Sequence, residues 1–203
     1  MTHPGSAARR VLLIIVSDIL SIWLVAGAAW AAEPLATVRE AVDRALAVLN
    51  DPVPADDAKR ERMVREVSPY HDFAETARRA LGPHRSRASE AERAEFERLF
   101  IRLLTERYLT GVFFVKAKGA KVIYIQDTVD GGLARVVAKI ITAEGTVIPV
   151  TWSMHLVGGQ WRVYDWNAEG VSLVANYRAQ FNRMIPAKPS FAEFLTELRA
   201  KLE

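Results

Sequence analysis

The sequence contains no cysteine among its 203 residues. A chain without thiols forms no disulfide, offers no thiolate ligand to a metal and has no cysteine nucleophile. It also has no cysteine to acylate, which excludes a bacterial lipoprotein. The fold must therefore be held together by packing alone.

The sequence also lacks a strong excess of charge of either sign. Lys and Arg number 27 and Asp and Glu number 24. Residues 1–31 hold two Arg and one Asp, so 25 basic and 23 acidic residues remain beyond them. No dense basic patch with interleaved aromatic residues is present, and nucleic acid is not an expected partner.

Long hydrophobic runs are absent except at the N-terminus. Arg9 and Arg10 precede an apolar run that extends to Trp30 with Asp18 inside it, and Ala29-Trp30-Ala31 fits a signal-peptidase site. Residues 1–31 are therefore predicted to be a signal peptide, cleaved before Ala32. The run is also about long enough to span a bilayer, so an uncleaved inner-membrane anchor is the alternative. Both interpretations export residues 32–203 to the periplasm.

The exported part, about 170 residues, has the length of one domain, and its first half shows helical periodicity. Apolar residues recur at helical spacing in four segments, each with an end signal such as Pro52, Pro69 or Gly82, and Ser89 begins a capping box. Asp56 is expected to cap the second segment. The predicted helices are Leu35–Leu49, a second that ends before Pro69, Phe73–Leu81, and Glu90–Leu109.

The second half changes to strand patterns separated by Gly-containing turns. The predicted strands are Lys121–Asp127, Leu133–Thr142, Val147–Leu156 and Gln160–Trp166. Short turns between consecutive strands indicate an antiparallel meander. Two further helices follow, Val171–Met184 and one capped by Ser190. Helices, then a four-stranded sheet, then helices predict an α+β fold in which helices cover one face of the sheet.

Candidates for catalysis are few. His155 lies in a predicted strand, and a pair with Asp127 or Asp165 would suit a general base, although its alternation with Trp152 and Met154 also fits a solvent-facing strand residue. No metal-ligand spacing and no nucleophile, phosphate or dinucleotide motif occurs in residues 32–203. We therefore expect no catalytic residue, no metal and no cofactor.

The turn before Val171 carries acidic side chains. Asp165 and Glu169 flank it, and acids near a helix N-terminus satisfy free amides and the helix dipole. The alternative is that this turn forms the rim of a pocket. Arg178, in the following helix, is expected either to form a structural ion pair or to face a lipid phosphate.

The predicted sheet is apolar on more sides than a closed core requires. Strand Val147–Leu156 has one apolar face, strand Leu133–Thr142 has two, and several helical stripes add to them. Each residue taken alone fits an ordinary core. Taken together, the surplus is consistent with an apolar cavity.

The segment Trp161–Phe181, WRVYDWNAEGVSLVANYRAQF, resembles the MlaC family of toluene-tolerance (Ttg2-type) periplasmic phospholipid carriers. The stretches FAETARRALG (73–82), Glu95-Phe96, FIRLLTERYL (100–109) and 147–156 are also similar to this family, in the same order. The resemblance covers most of the chain beyond the leader.

The resemblance implies a single α+β domain related to the NTF2-like group, with phospholipid acyl chains held in an apolar cavity. It implies partners in an inner-membrane ABC transporter and an outer-membrane lipoprotein complex, between which lipid is shuttled. A sister branch of the family accompanies hopanoid biosynthesis, so a hopanoid is an alternative ligand. A monomer is expected.

The cavity lining is predicted from the residues that face one another in the predicted elements. Two rival functions stay open: an enzyme with Asp165 or Asp127 as base, and a scaffold anchored by residues 11–30. The residues expected to contact lipid are Leu103, Tyr108, Val136, Ile140, Val150, Trp152, Val163, Val174, Tyr177 and Phe181.

Overall fold

The computed structural model describes residues 33–52, 57–109 and 118–202. These residues belong to one compact unit, Ala32–Glu203. The predicted signal peptide, residues 1–31, and the predicted cap Asp56 lie outside the described residues. Export, cleavage and localisation therefore stay predictions.

The first half of the described chain is helical, as its periodicity predicts. The elements are α1 (Pro34–Asn50), α2 (Asp57–Val67), a 3₁₀ turn (Ser68–Tyr70), α3 (Phe73–Leu81), a second 3₁₀ turn (Gly82–Arg87) and α4 (Glu90–Leu104), which continues as a π-helical turn (Thr105–Leu109).

Side chains cap the helix ends where backbone groups have no partner within the helix. Ser89 and Glu92 form the expected capping box at α4, and Asp72 accepts from the backbone N–H of Glu75 at the start of α3. At the end of α1, Nζ of Lys59 donates to the carbonyl oxygens of Leu49 (3.3 Å) and Asp51 (2.7 Å). A side chain from α2 thus closes α1 and links the two helices.

The second half forms an antiparallel sheet in the order β1-β2-β3-β4-β5. Its strands are β1 (Lys121–Asp130), β2 (Leu133–Ile141), β3 (Val147–Val157), β4 (Gln160–Ala168) and β5 (Val171–Ser172). The α+β prediction and its meander are confirmed.

The strand count is five rather than the predicted four. Glu169 and Gly170 both have positive φ, 53° and 83°, and this tight turn brings Val171 and Ser172 back against the end of β4. The predicted helix from Val171 therefore begins later. It is α5 (Leu173–Met184), with Ser172 as its N-cap, and α6 (Phe191–Ala200) follows with the predicted Ser190 cap.

The described residues bury two large apolar clusters. One is helical and joins α3, α4, α5 and α6 around stacked and edge-on aromatic rings, among them Phe96, Phe100 and Phe181. The other lies between α1 and one face of the sheet and includes Val38, with Val136, Trp152 and Met154 among its sheet residues. Helix α1 therefore covers the inner face of the sheet.

Among the described helices, none combines the length and the apolar character that crossing a membrane requires.

Candidate functional site

A pocket lies between α1, α2 and the inner face of the sheet. Its volume of about 170 Å³ is more than ten times the roughly 10–15 Å³ that one water molecule needs. The described residues that line it are Val38, Ala41, Val42, Ala45, Leu46, Met63, Val67, His71, Ala120, Val122, Ile140, Val150, Trp152, Val163, Trp166 and Ala168.

The sequence explains why this space stays open. On α1 the apolar stripe that lines the pocket contains two alanines, Ala41 and Ala45, where larger side chains would fill the gap. On the sheet, Val150 and Trp152 both point inward because side chains two residues apart share a face. Small residues on the helix thus stand opposite larger ones on the strands.

The wall of the pocket is apolar apart from one ionisable side chain. Among the described lining residues, His71 is the ionisable one, and no carboxylate contributes to the wall. Burial lowers the pKa of His71 to about 4, so the ring is neutral at neutral pH. Such a wall suits hydrocarbon.

Four of the ten residues predicted to contact lipid line this pocket: Ile140, Val150, Trp152 and Val163. Val136 is fully buried in the neighbouring cluster on the same face of the sheet. These residues share one face of the sheet because strand side chains alternate with a fixed period of two.

The other predicted residues lie elsewhere. Val174 is buried at the start of α5, while Tyr177 and Phe181 belong to the helical cluster, and Leu103 packs against that cluster. The three residues of α5 lie outside the pocket because α5 packs chiefly against α3. The side chain of Tyr108 lies outside the described residues. Lipid contact stays a prediction at all ten positions.

The part that α1 and α2 play in lining the pocket was not predicted from the sequence. Val38, Val42 and Leu46 belong to the apolar stripe of α1, and Met63 and Val67 lie on α2. All five line the pocket. The available signal was the pair of alanines within the α1 stripe. A core-facing helix with small residues at two successive turns leaves room beside it.

A histidine–aspartate pair exists, but its acid was not the one expected. Nε2 of His155 lies 3.0 Å from Oδ2 of Asp72, not beside Asp127 or Asp165. Asp72 comes from the start of α3, 83 residues away in sequence, so no local pattern linked the two. Neither residue lines the apolar pocket.

The acid before α5 serves the helix terminus. Oδ1 of Asp165 accepts from the backbone N–H of Val174 at 3.0 Å, and its Oδ2 accepts from the hydroxyl of Ser172 at 2.7 Å. The helix-terminus interpretation of this residue is confirmed. The same pair of bonds ties the end of β4 to α5.

Among the described residues Arg178 contacts a backbone carbonyl and forms no ion pair, and its other expected role, facing a lipid phosphate, stays a prediction. Its guanidinium donates twice to the carbonyl oxygen of Arg79, at 2.9 and 2.6 Å. The acceptor lies near the C-terminus of α3, where carbonyl groups lack helical partners. Arg178 therefore joins α5 to α3, which holds the helical cluster together.

Comparison with known proteins adds two findings. The chain matches the family described as MlaC protein over residues 39–200. Its fold is similar to that of a phospholipid-binding protein from Ralstonia solanacearum, determined in complex with a phospholipid, with a TM-score of 0.72 and 24% identity. The alignment covers 84% of this chain and 99% of that chain. A search of curated proteins finds no significant match.

Proposed function

The chain belongs to the MlaC family, and on that premise we propose that it is a periplasmic lipid carrier. The acyl chains of a phospholipid occupy the pocket between α1, α2 and the sheet. The observation that carries the proposal is the composition of the pocket wall, in which fifteen of the sixteen described residues are apolar and none is acidic. The phospholipid bound by the Ralstonia solanacearum protein of similar fold supports the same ligand class.

The energetics favour a carrier that catalyses no reaction. Each methylene removed from water contributes about 0.8 kcal/mol, so two acyl chains with roughly 30 methylenes gain on the order of 20 kcal/mol before ordering costs are subtracted. A lipid so held almost never escapes into water. The protein needs walls that exclude water and a way to open, and it needs no reactive group.

The pocket must widen to take a whole acyl chain. A cavity of about 150 Å³ accommodates benzene, so the 170 Å³ seen here encloses only part of a long chain. Helices α1 and α2 have their own apolar cluster of Val48, Leu49, Met63 and Val67. We therefore expect the two helices to move away from the sheet together when lipid enters.

The proposed pathway follows from family membership. Lipid passes between an inner-membrane ABC transporter and an outer-membrane lipoprotein complex, with this protein as the carrier between them. Because the bound chains are shielded, transfer takes place by contact with each partner rather than through free lipid. Asp127 and Asp165, the bases that an enzyme would use, do not line the pocket.

The direct test is to purify the exported protein from its host and to identify extracted lipids by mass spectrometry. We expect a phospholipid in close to equimolar amount. If a hopanoid is found instead, the ligand class changes but the proposed carrier function stands. Protein that yields no lipid of any kind would contradict the proposal.

A pair of matched variants locates the lipid. Val150 is 6% exposed and lines the pocket, whereas Val147 in the same strand is 52% exposed. Val150→Glu should abolish lipid co-purification, because a carboxylate in an apolar pocket must be desolvated, while circular dichroism still shows folded protein. Val147→Glu should retain the lipid. Equal lipid content in the two variants would contradict the proposal that this pocket binds the lipid.

A further inference from the structure

One polar atom beside the pocket has no hydrogen-bond partner. Nε2 of His71 is buried, and no described residue donates to it or accepts from it. An unpaired buried polar group destabilises a fold, and native proteins keep very few of them. The position indicates a partner that the described chain does not itself supply.

The backbone decides the hydrogen-bonding role of this atom. Nδ1 of the same ring lies 3.4 Å from the carbonyl oxygen of Val67, and because that oxygen only accepts, Nδ1 carries the proton. In the neutral ring Nε2 then presents a lone pair. Burial lowers the pKa of His71 to about 4, so at neutral pH the ring is neutral and Nε2 is an acceptor.

The ring is also held in place. It stacks on Phe73 with 5.2 Å between the ring centroids and meets Trp166 edge-on at 6.1 Å. The backbone around it is tied to the sheet, since the N–H of Asp72 donates to the carbonyl oxygen of Val163 at 2.8 Å. A fixed acceptor in an apolar wall discriminates between ligands that can donate to it and ligands that cannot.

His71 stands at the boundary of two spaces. It lines the 170 Å³ pocket and also a small one of about 10 Å³, whose wall includes Thr76 and Asp165. The small space is close to what a single water needs. A hydrogen bond to Nε2 can therefore come from either of two donors: the ligand of the large pocket, or a water molecule in the small one.

We propose that Nε2 of His71 accepts a hydrogen bond from a hydroxyl group of the bound lipid, and that the site thereby favours lipids with a hydroxyl near the acyl chain. The inference rests on the proposed function and names a chemical feature of its ligand. The ester groups of a diacyl phospholipid present oxygen acceptors only, which cannot donate to a second acceptor, so a hydroxyl in another part of the lipid is the donor. A hydroxyl satisfies the atom that the fold leaves unpaired.

The test compares two probes of equal chain length, 1-dodecanol and dodecyl methyl ether, on the wild type and on His71→Phe. Affinities come from displacement of a fluorescent apolar dye. The wild type should prefer the alcohol, relative to the ether, by roughly threefold to tenfold more than His71→Phe does, the range expected for one net hydrogen bond. Comparing the two ratios cancels the difference in how water solvates the probes.

Each outcome has a distinct meaning. If the ratio of the affinities for alcohol and ether is the same in both proteins, the inference is overturned but the proposed carrier function is not. That result is expected if a water molecule alone pairs with Nε2 from the small space. Failure of the wild type to bind either probe overturns the proposed function, and the inference with it. Binding of the ether by both proteins shows that His71→Phe keeps a working pocket.

A measurement on the wild type keeps the inference testable if His71→Phe does not fold. The ¹⁵N resonance of a lone-pair imidazole nitrogen moves upfield when it accepts a hydrogen bond. Dodecanol should shift the Nε2 resonance of His71 and dodecyl methyl ether should not. Identical spectra with the two probes would overturn the inference.

Discussion

His71 and Lys59 are two polar side chains that the fold buries, and their surroundings differ. The ammonium group of Lys59 donates to two carbonyl oxygens at the end of α1, so its burial is compensated by hydrogen bonds. Nε2 of His71 has no such partner among the described residues. Burial keeps its ring neutral, which the lowered pKa reflects, so no charge is buried although Nε2 still lacks a partner among the described residues.

This difference predicts how stability depends on pH. The pKa of His71 is about 4 in the folded protein and 6.5 ordinarily, so as pH falls from about 6.5 to 4 the unfolded chain takes up the proton first. The free energy of unfolding should drop over that window by at most about 3 kcal/mol from this site. Urea unfolding at pH 7 and pH 4.5 should show a smaller drop for His71→Phe than for the wild type. Equal drops would contradict the buried neutral ring.

At the scale of elements, α1 determines the size of the pocket. Its stripe places Ala41 and Ala45 in the wall of the pocket, while Val38 packs into the sheet cluster. The helix therefore does two things along one face: it packs tightly near its start and leaves space further along. Ala47, by contrast, faces solvent on the same helix.

Filling the pocket should lower lipid binding while it raises the stability of the lipid-free protein. Ala45→Leu adds three carbons to the pocket wall, and burying them at about 0.8 kcal/mol each should raise the stability of the lipid-free protein by up to about 2 kcal/mol. The same change should lower the amount of co-purified lipid. Thermal unfolding and lipid mass spectrometry measure the two effects. Ala47→Leu is the control and should change neither. Unchanged lipid in Ala45→Leu would contradict the assignment of this pocket.

At the scale of the whole molecule, the described chain divides its apolar residues between two clusters. The helical cluster is filled with interlocking aromatic rings, whereas the α1–sheet cluster borders the pocket. Trp166 packs against both. The solid cluster supports the scaffold, and the incomplete one leaves room for a ligand.

The signal peptide predicted at residues 1–31 can be tested on the chain as a whole. A signal peptide cleaved after Ala31 would leave an exported protein that begins at Ala32, since Ala29-Trp30-Ala31 satisfies the small-x-small rule. Intact mass spectrometry of protein from the host should therefore show a chain lacking the first 31 residues. A full-length mass in the membrane fraction would instead indicate an uncleaved anchor. This is the alternative that Asp18, within the apolar run, leaves open.

Local signals were enough to predict most elements. The Ser89 capping box, the stop at Gly82 and the Gly-containing turns marked helices and strands because these features act within a few residues. The two-residue β5 was missed since Val171 and Ser172 pair only after the Glu169-Gly170 turn reverses the chain. The His155–Asp72 contact was missed because it joins distant parts of the sequence.

The sequence by itself determined the α+β order of elements, the apolar face of β3 and the family, because periodicity, capping signals and sequence motifs are properties of neighbouring residues. Only the tertiary structure decided which helices cover the sheet. It placed α1 and α2 over the pocket and sent Tyr177 and Phe181 into a solid core, because helix packing depends on how whole surfaces fit together. The same packing left Nε2 of His71 without a hydrogen-bond partner among the described residues, which no local pattern reveals.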